Sequence, residues 1–144
     1  MDILTAMEIS SSGLRSQRAR LNVASMNLAN VNTTRTIEGG PYKAKSIVFA
    51  AEPVSSFFSV LEQASSELHK VEVTRVIEDD KPFKEVYDPS HPDADENGVV
   101  RMPNVDVPEQ MVDILSARRA YEANVAAVES VKNMALRALE ISGR

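Results

Sequence analysis

The sequence predicts an α+β fold, with long N- and C-terminal helices on either side of a small β-rich middle domain. All seven prolines lie between residues 41 and 108, so both ends lack the strongest helix breaker. The phenylalanines lie in the same region, where strands and a small aromatic core are expected: Phe49, Phe57, Phe58 and Phe83. The chain therefore divides into a helical segment (1–40), a β-rich domain (41–105) and a second helical segment (106–144).

The first helix is predicted from a seven-residue repeat of apolar side chains. Met7, Leu14, Leu21 and Leu28 occupy this repeat and define one narrow stripe on a helix. Asparagine and threonine after residue 29 favour a helix end, so the helix is expected over about residues 3–30.

The last helix is predicted from apolar residues at three- and four-residue spacing. Asp106 and Glu109 flank a proline in a pattern typical of a helix start, and the helix should run to about Ile141. At ~1.5 Å per residue, each terminal helix is on the order of 40–50 Å long. A compact domain of this size cannot cover such lengths, so part of each stripe is expected to need an outside partner.

Four strands are expected in the middle, separated by acidic or proline-containing turns. They are Ala44–Ala51, Lys70–Glu78, Phe83–Tyr87 and Val99–Met102.

Composition excludes several classes of function. The net charge is −5 and the acidity is confined to the middle, which argues against nucleic-acid binding. Cysteine is absent, and no apolar run approaches the ~20 residues that cross a bilayer. His69 and His91 accompany no nucleophile motif, and no phosphate-binding glycine loop occurs. Neither a catalytic site, a cofactor nor a small-molecule substrate is expected.

One local pattern predicts a metal site as an alternative. Residues 93–98, DADENG, match the first half of a calcium loop, in which alternate oxygen atoms bind the ion. The twelfth position should be glutamate but is Asn104, and prolines flank the segment. A solvated turn, in which Gly98 supplies a positive φ, is the simpler interpretation.

Several stretches together resemble the axial rod and hook proteins of the bacterial flagellum, and within that family the proximal-rod proteins. The stretches are NLANVNT (27–33), GGPYKAK (39–45), YDPSHPDADENG (87–98), RMPNV (101–105), EQMVD (109–113) and RAYEAN (119–124). Ile37 stands where the family is expected to have proline, and residues 53–69 match no family motif.

This resemblance implies a non-enzymatic structural subunit of the basal-body rod. Its terminal helices would form a coiled coil and polymerise into the axial drive shaft that transmits torque. The implied partners are further copies, other flagellar rod proteins, the basal-body adaptor protein and the flagellar type III export apparatus. The implied location is the periplasmic rod, after export without a cleaved signal peptide.

The resemblance also implies the assembly interface. Its residues are Met7, Leu14, Leu21, Leu28, Asn30, Asn32, Met111, Ile114, Tyr121, Val125, Val128 and Leu139. Two other functions stay open: a calcium-binding module, and a helical adaptor whose helices pair only within the molecule.

Overall fold

A computed structural model describes residues 3–54 and 68–142 of the chain. The elements follow the order α1 (Ile3–Ala29), β1 (Lys45–Pro53), β2 (His69–Glu78), β3 (Lys84–Tyr87), β4 (Val99–Met102) and α2 (Val107–Ser142). The predicted α+β class is confirmed, and both helices end within about two residues of the predicted positions. No helix in the described ranges is long and apolar enough to cross a membrane.

The two helices pack against each other in antiparallel orientation. The Arg20 guanidinium lies 2.6 Å from the Asp113 carboxylate, and further along α1 the Asn27 amide lies 2.9 Å from the Gln110 side chain. At the other end of the contact, a methyl group on Gly13 would lie 2.9 Å from Asn124. The helix axes therefore approach closely at Gly13, where a larger residue would displace Asn124.

The middle of the chain forms two separate antiparallel hairpins. In the first, β1 pairs with β2, with Lys45 opposite Glu78 and an irregularity after Val48. In the second, β3 pairs with β4, with Tyr87 opposite Val99. The β1–β2 hairpin lies along α1 and contacts it through both strands.

The core is built from small aliphatic side chains. The buried apolar residues among those described are all alanine or valine, apart from Pro103: Val23, Ala24, Ala44, Val100, Val105, Ala117 and Val131. The expected aromatic core is not found in the described ranges, because Phe49 is 38% exposed and Phe83 is only half-buried. Phe57 and Phe58 lie outside the described residues. Small side chains suit this fold because the helices and the hairpin approach one another closely.

Ala117 provides a test of this close packing. It is fully buried and lies on the same side of α2 as Gln110 and Asn124, which approach α1. We expect Ala117→Leu to lower the free energy of unfolding by about 1–3 kcal/mol, because the extra atoms overpack the interface. Urea unfolding followed by circular dichroism measures the change. Ala123→Leu, at an exposed position on the same helix, is the matched control and should leave stability within about 0.5 kcal/mol; an equal effect of both substitutions would contradict the packing argument.

Candidate assembly interface

Asn27 joins three elements through its side-chain amide. Its Nδ2 donates to the Lys45 carbonyl oxygen at 2.8 Å and to Gln110 Oε1 at 2.9 Å. Its Oδ1 accepts from the Lys45 backbone N–H at 2.8 Å and from the Tyr42 hydroxyl at 3.0 Å. Asn27 is 2% exposed, so α1, α2 and the start of β1 meet at a buried amide whose oxygen and nitrogen are both hydrogen-bonded.

Two serines of α1 make similar side-chain contacts with the backbone of β2, the second strand of the hairpin. The Ser12 hydroxyl accepts from the Val71 backbone N–H at 3.2 Å, and the Ser16 hydroxyl lies 3.4 Å from the Val71 carbonyl oxygen. Both hydroxyls also donate to carbonyl oxygens of their own helix, at 2.7 Å from Ser12 and 2.8 Å from Ser16. Ser12 and Ser16 are both almost fully buried.

These buried polar residues satisfy backbone groups at the edges of the β1–β2 hairpin. Asn27 bonds both the N–H and the carbonyl of Lys45, and the serine pair faces both backbone groups of Val71. Unpaired groups at a strand edge are templates for pairing with other chains. The buried polar side chains of α1 thus contact the hairpin at Lys45 and at Val71, and these contacts orient the hairpin along the helix.

A second buried asparagine fixes the base of the hairpin. Asn104 Oδ1 accepts from the Ala44 backbone N–H at 2.7 Å, and its Nδ2 donates to the carbonyl oxygens of Asp79 and Lys81, each at 3.0 Å. Asn104 is 9% exposed and lies between β4 and α2. It therefore connects the two hairpins at the point where the last helix begins.

The predicted interface residues of α1 lie on the side opposite the hairpin. Successive residues of a helix are rotated by roughly 100°, which places Leu14, Leu21 and Leu28 roughly opposite Ser12 and Ser16. These leucines and Met7, at the same heptad position, are all half-buried.

The predicted residues of α2 form a matching row. Gln110, Ala117 and Asn124 face α1, and the residues four positions later are rotated from them by roughly 40°. The row is half-buried and consists of Ile114, Tyr121, Val125 and Val128. On each helix, the row of residues that faces the other helix is the contact row. On both helices, the apolar row is rotated from the contact row in the same direction about the helix axis. Because the helices are antiparallel, the two rows lie on the same side of the pair.

We call this surface the apolar face. Its residues are Met7, Leu14, Leu21, Leu28, Ile114, Tyr121, Val125 and Val128. The β1–β2 hairpin contacts α1 from the other side, and the described residues leave the apolar face half-buried. The actual contact between α1 and α2 therefore uses neighbouring rows of small and polar residues, while the predicted apolar rows flank it.

The remaining predicted interface residues lie outside the apolar face. Asn30 Nδ2 donates to the Met26 carbonyl oxygen at 2.9 Å, just after α1 ends, whereas Asn32 is exposed. Met111 is 51% exposed near the start of α2. Leu139 is 69% exposed, beyond the level at which α1 begins.

The calcium-like segment forms a turn between β3 and β4. The Asp95 carboxylate accepts backbone N–H groups of Asn97 and Val99, both at 2.9 Å, and Gly98 has a φ of 76°. Asp93 accepts a hydrogen bond from the Thr34 hydroxyl at 2.7 Å. In the described ranges, no group of three or more acidic or histidine side chains could hold a metal ion. The contacts are those of a capped turn, and nothing in them favours the calcium-binding alternative.

Comparison with known proteins identifies the family. Residues 7–35 match the family model described as flagella basal body rod protein, and residues 96–141 match the C-terminal model of the flagellar basal body rod FlgEFG proteins. The flagellar basal-body rod protein FlgC of Salmonella typhimurium is 42% identical, with 98% of each chain covered. FlgC of Bacillus subtilis is 41% identical over 98% of this chain and 99% of its own length, and FlgC of Borreliella burgdorferi is 39% identical over 98% of each chain.

The chain belongs to the FlgC family of flagellar basal-body rod proteins. The two matched segments contain nearly all of α1 and α2 and the whole apolar face. They also contain Asn27 and Asn104, the two buried asparagines that connect the helices with the hairpins. The matched segments thus include the positions of the polar contacts that hold the helices and hairpins together.

Asn27 was not predicted as a structural centre, although it opens the NLANVNT motif. Asparagines near a helix end indicate termination, and this interpretation did not reveal that Asn27, two residues before the end of α1, is buried. Ser12 and Ser16 were likewise not predicted to make contacts with the strands. The available signal was the spacing of Ser16, Val23 and Asn27. They are two turns and then one turn apart, so they lie on the same side of the helix.

Replacement of Asn27 should destabilise the chain strongly. Asn27→Ala leaves both backbone groups of Lys45 and the Gln110 side chain without their buried partner, so we expect a loss of about 3 kcal/mol in the free energy of unfolding. Urea unfolding measures this loss of free energy. Asn22→Ala, on the exposed side of α1, is the control. A loss below about 1 kcal/mol for Asn27→Ala would show that the amide is not the structural centre.

Tyr42 should make stability depend on alkaline pH. Burial, and in addition the Glu78 carboxylate, raises the pKa of the Tyr42 phenol above its ordinary value. The folded state thus favours the protonated phenol, so this contribution to stability is complete below about pH 10 and is lost as the pH rises through the raised pKa. The urea concentration at the midpoint of unfolding should therefore decrease as the pH rises through that pKa. In Tyr42→Phe the fall should be smaller; an unchanged alkaline profile would exclude Tyr42 as its source.

Proposed function

We propose that this structural subunit of the flagellar basal-body rod assembles by packing its apolar face against neighbouring rod subunits. The observation that carries the proposal is the contrast between the two sides of the helix pair. One side of α1 packs against the β1–β2 hairpin, whereas the apolar face has eight side chains that the described residues leave only half-buried. Burying apolar surface contributes roughly 25 cal/mol per Å². A neighbouring helix layer is the kind of partner whose shape fits a groove between two helices.

The helix pair suits a mechanical function. α1 and α2 span 27 and 36 residues, and they are held in register by the Arg20–Asp113 ion pair and the Asn27–Gln110 hydrogen bond. A long helix pair with fixed register transmits force along its axis and to subunits packed on its side. Torque transmission through the rod is the function that we assign to this arrangement.

Charged groups in a cleft between α1, β1 and the start of α2 have structural partners. The cleft has a volume of about 410 Å³. Arg20 pairs there with Asp113, and Lys81 lies 3.3 Å from the Asp79 carboxylate. Lys81 lowers the pKa of Asp79, first through its backbone N–H and then through its ammonium group. These pairs stabilise the fold and support a non-enzymatic function.

The composition of the core supports export through the flagellar type III apparatus. Side chains no larger than valine bury little apolar area each, so the described part of the subunit gains little stability from its core. A subunit of low stability is easily unfolded for transport and gains stability when neighbours cover its apolar face. We assign the chain to the periplasmic part of the rod, where the basal-body adaptor and sister rod proteins are its partners.

Leu21→Asp tests the proposal. Leu21 lies in the middle of the apolar face and is half-buried, so a carboxylate there should be tolerated in the free subunit but not inside an interface. We expect the variant to be expressed and helical by circular dichroism, yet to restore neither rods nor motility to cells lacking the native chain.

Asn22→Asp is the matched control, because it places the same charge on the exposed side of α1. It should support normal motility. Normal rods and swimming with a folded Leu21→Asp chain would contradict the assembly function of the apolar face and favour a helical adaptor whose helices pair only within the molecule.

A further inference from the structure

One asparagine of the chain precedes a glycine. Of the eight asparagines, Asn97 is followed by Gly98, whereas the others are followed by valine, threonine, leucine or methionine. The side-chain amide of an asparagine can react with the backbone nitrogen of the next residue, and glycine leaves that nitrogen unshielded because it has no Cβ. Branched residues such as valine crowd the same nitrogen. Asn97 is therefore the asparagine whose neighbour hinders this reaction least.

The fold requires a glycine after Asn97. Gly98 has a φ of 76°, in the left-handed region that residues with a Cβ rarely adopt. A Cβ on Gly98 would also lie 3.0 Å from the Tyr87 ring and 3.0 Å from Pro89 Cγ. Asn97 itself is exposed, so water reaches its side chain. The turn between β3 and β4 thus depends on a residue that makes the preceding asparagine reactive.

We propose that Asn97 is a site of spontaneous covalent modification, and that the turn around it suppresses the reaction in the folded chain. The Gly98 nitrogen loses its proton to hydroxide and attacks Asn97 Cγ, which forms a C–N bond. The bond between Cγ and Nδ2 breaks, and this nitrogen takes a proton from water and leaves as ammonia. Water then opens the cyclic imide at either carbonyl, which produces aspartate or iso-aspartate at position 97.

The turn holds the Gly98 nitrogen in a hydrogen bond. Gly98 N–H donates to the Asp95 carbonyl oxygen at 2.9 Å, and the Gly98 carbonyl oxygen accepts from the Asp88 N–H at 2.9 Å. The Asp95 carboxylate also accepts from the N–H groups of Asn97 and Val99, both at 2.9 Å. Attack on Asn97 Cγ requires the Gly98 nitrogen to lose its proton and so its hydrogen bond. The turn must therefore open locally before the reaction can proceed.

Iso-aspartate at position 97 does not fit the native turn. Its main chain runs through the former side chain, which inserts one carbon atom between residue 97 and Gly98. The insertion displaces Gly98 from its close contact with Tyr87, and it shifts Val99, which pairs with Tyr87 in the hairpin. Val100, the next residue, is 1% exposed and belongs to the core. Chains with iso-aspartate should therefore unfold at lower urea concentration than native chains.

The time that the chain spends unfolded decides how much Asn97 is modified. Export in an unfolded state would open the turn and remove the hydrogen bonds that suppress the reaction. Prompt folding after export would restore them. This consequence rests on the proposed function, whereas the chemistry at Asn97 does not.

Mass spectrometry of the full-length chain tests the proposal. The chain is incubated at mildly alkaline pH, either folded in buffer or unfolded in guanidinium chloride, and is digested with trypsin after return to buffer. Cleavage after Lys84 and Arg101 gives a peptide in which Asn97 is the single asparagine. In the unfolded chain we expect Asn97 to be converted faster than the other asparagines. In the folded chain its conversion should be roughly tenfold slower, because a hydrogen-bonded turn is open in only a small fraction of molecules.

Asp95→Ala tests whether the hydrogen bonds of the turn suppress the reaction. The variant loses the carboxylate that accepts from Asn97 and Val99, so conversion in its folded chain should be faster by roughly fivefold or more. Glu96→Ala is the matched control, because it removes the same charge from an exposed neighbour in the same turn. It should leave the rate unchanged. Circular dichroism measures whether both variants are folded.

Either of two results with the native chain overturns the proposal: conversion of Asn97 in the unfolded chain no faster than that of the other asparagines, or equal rates in the folded and unfolded chain. This comparison needs no variant, so it is decisive even where Asp95→Ala does not fold. Equal acceleration by Asp95→Ala and Glu96→Ala would contradict suppression by hydrogen bonds. The motility of Leu21→Asp cells tests the rod function separately, since it does not involve Asn97.

Discussion

The buried amide of Asn27 is the interaction on which the rest of the structure depends. It bonds the backbone of Lys45 in both directions and the side chain of Gln110, so it sets the position of the first strand and of the last helix relative to α1. A hydrogen bond gains only about 1 kcal/mol net, but a buried group left without its partner costs more. Any other arrangement of these three elements would leave such groups unsatisfied, which makes the native arrangement specific despite a core of small side chains.

In α1 the side with polar residues is the more buried one and the side with leucines is the less buried one, which is the reverse of most helices in globular proteins. Its most buried residues include Ser12, Ser16 and Asn27, whereas its leucines are only half-buried. In an ordinary globular protein the leucines would face the core. Here the inward side is polar because its side chains bond the backbone of the strands, while the leucines of the apolar face stay half-buried. Under the proposed function, this separation allows the subunit to hold its hairpin by directional hydrogen bonds and to use its non-directional apolar surface for assembly.

The sequence was sufficient to predict the helices but not the contacts that they make. The confinement of proline to residues 41–108 and the spacing of Leu14, Leu21 and Leu28 predicted both helices, because backbone geometry and periodicity are local properties. The contact row of α1, which includes Gly13 and Arg20, is displaced from the leucine row by roughly 100°. Periodicity detects the most apolar row and cannot show whether a neighbouring row of small residues permits closer packing. Asn104 was considered only as a failed calcium ligand, since its three backbone partners are distant in sequence.

Assembly through the proposed apolar face would also affect apolar residues of α2 that lie outside it. In a rod a subunit contacts several neighbours, so the exposed Met111 and Leu139 can be covered as well. Burial of this added apolar area would favour the assembled subunit over the free one.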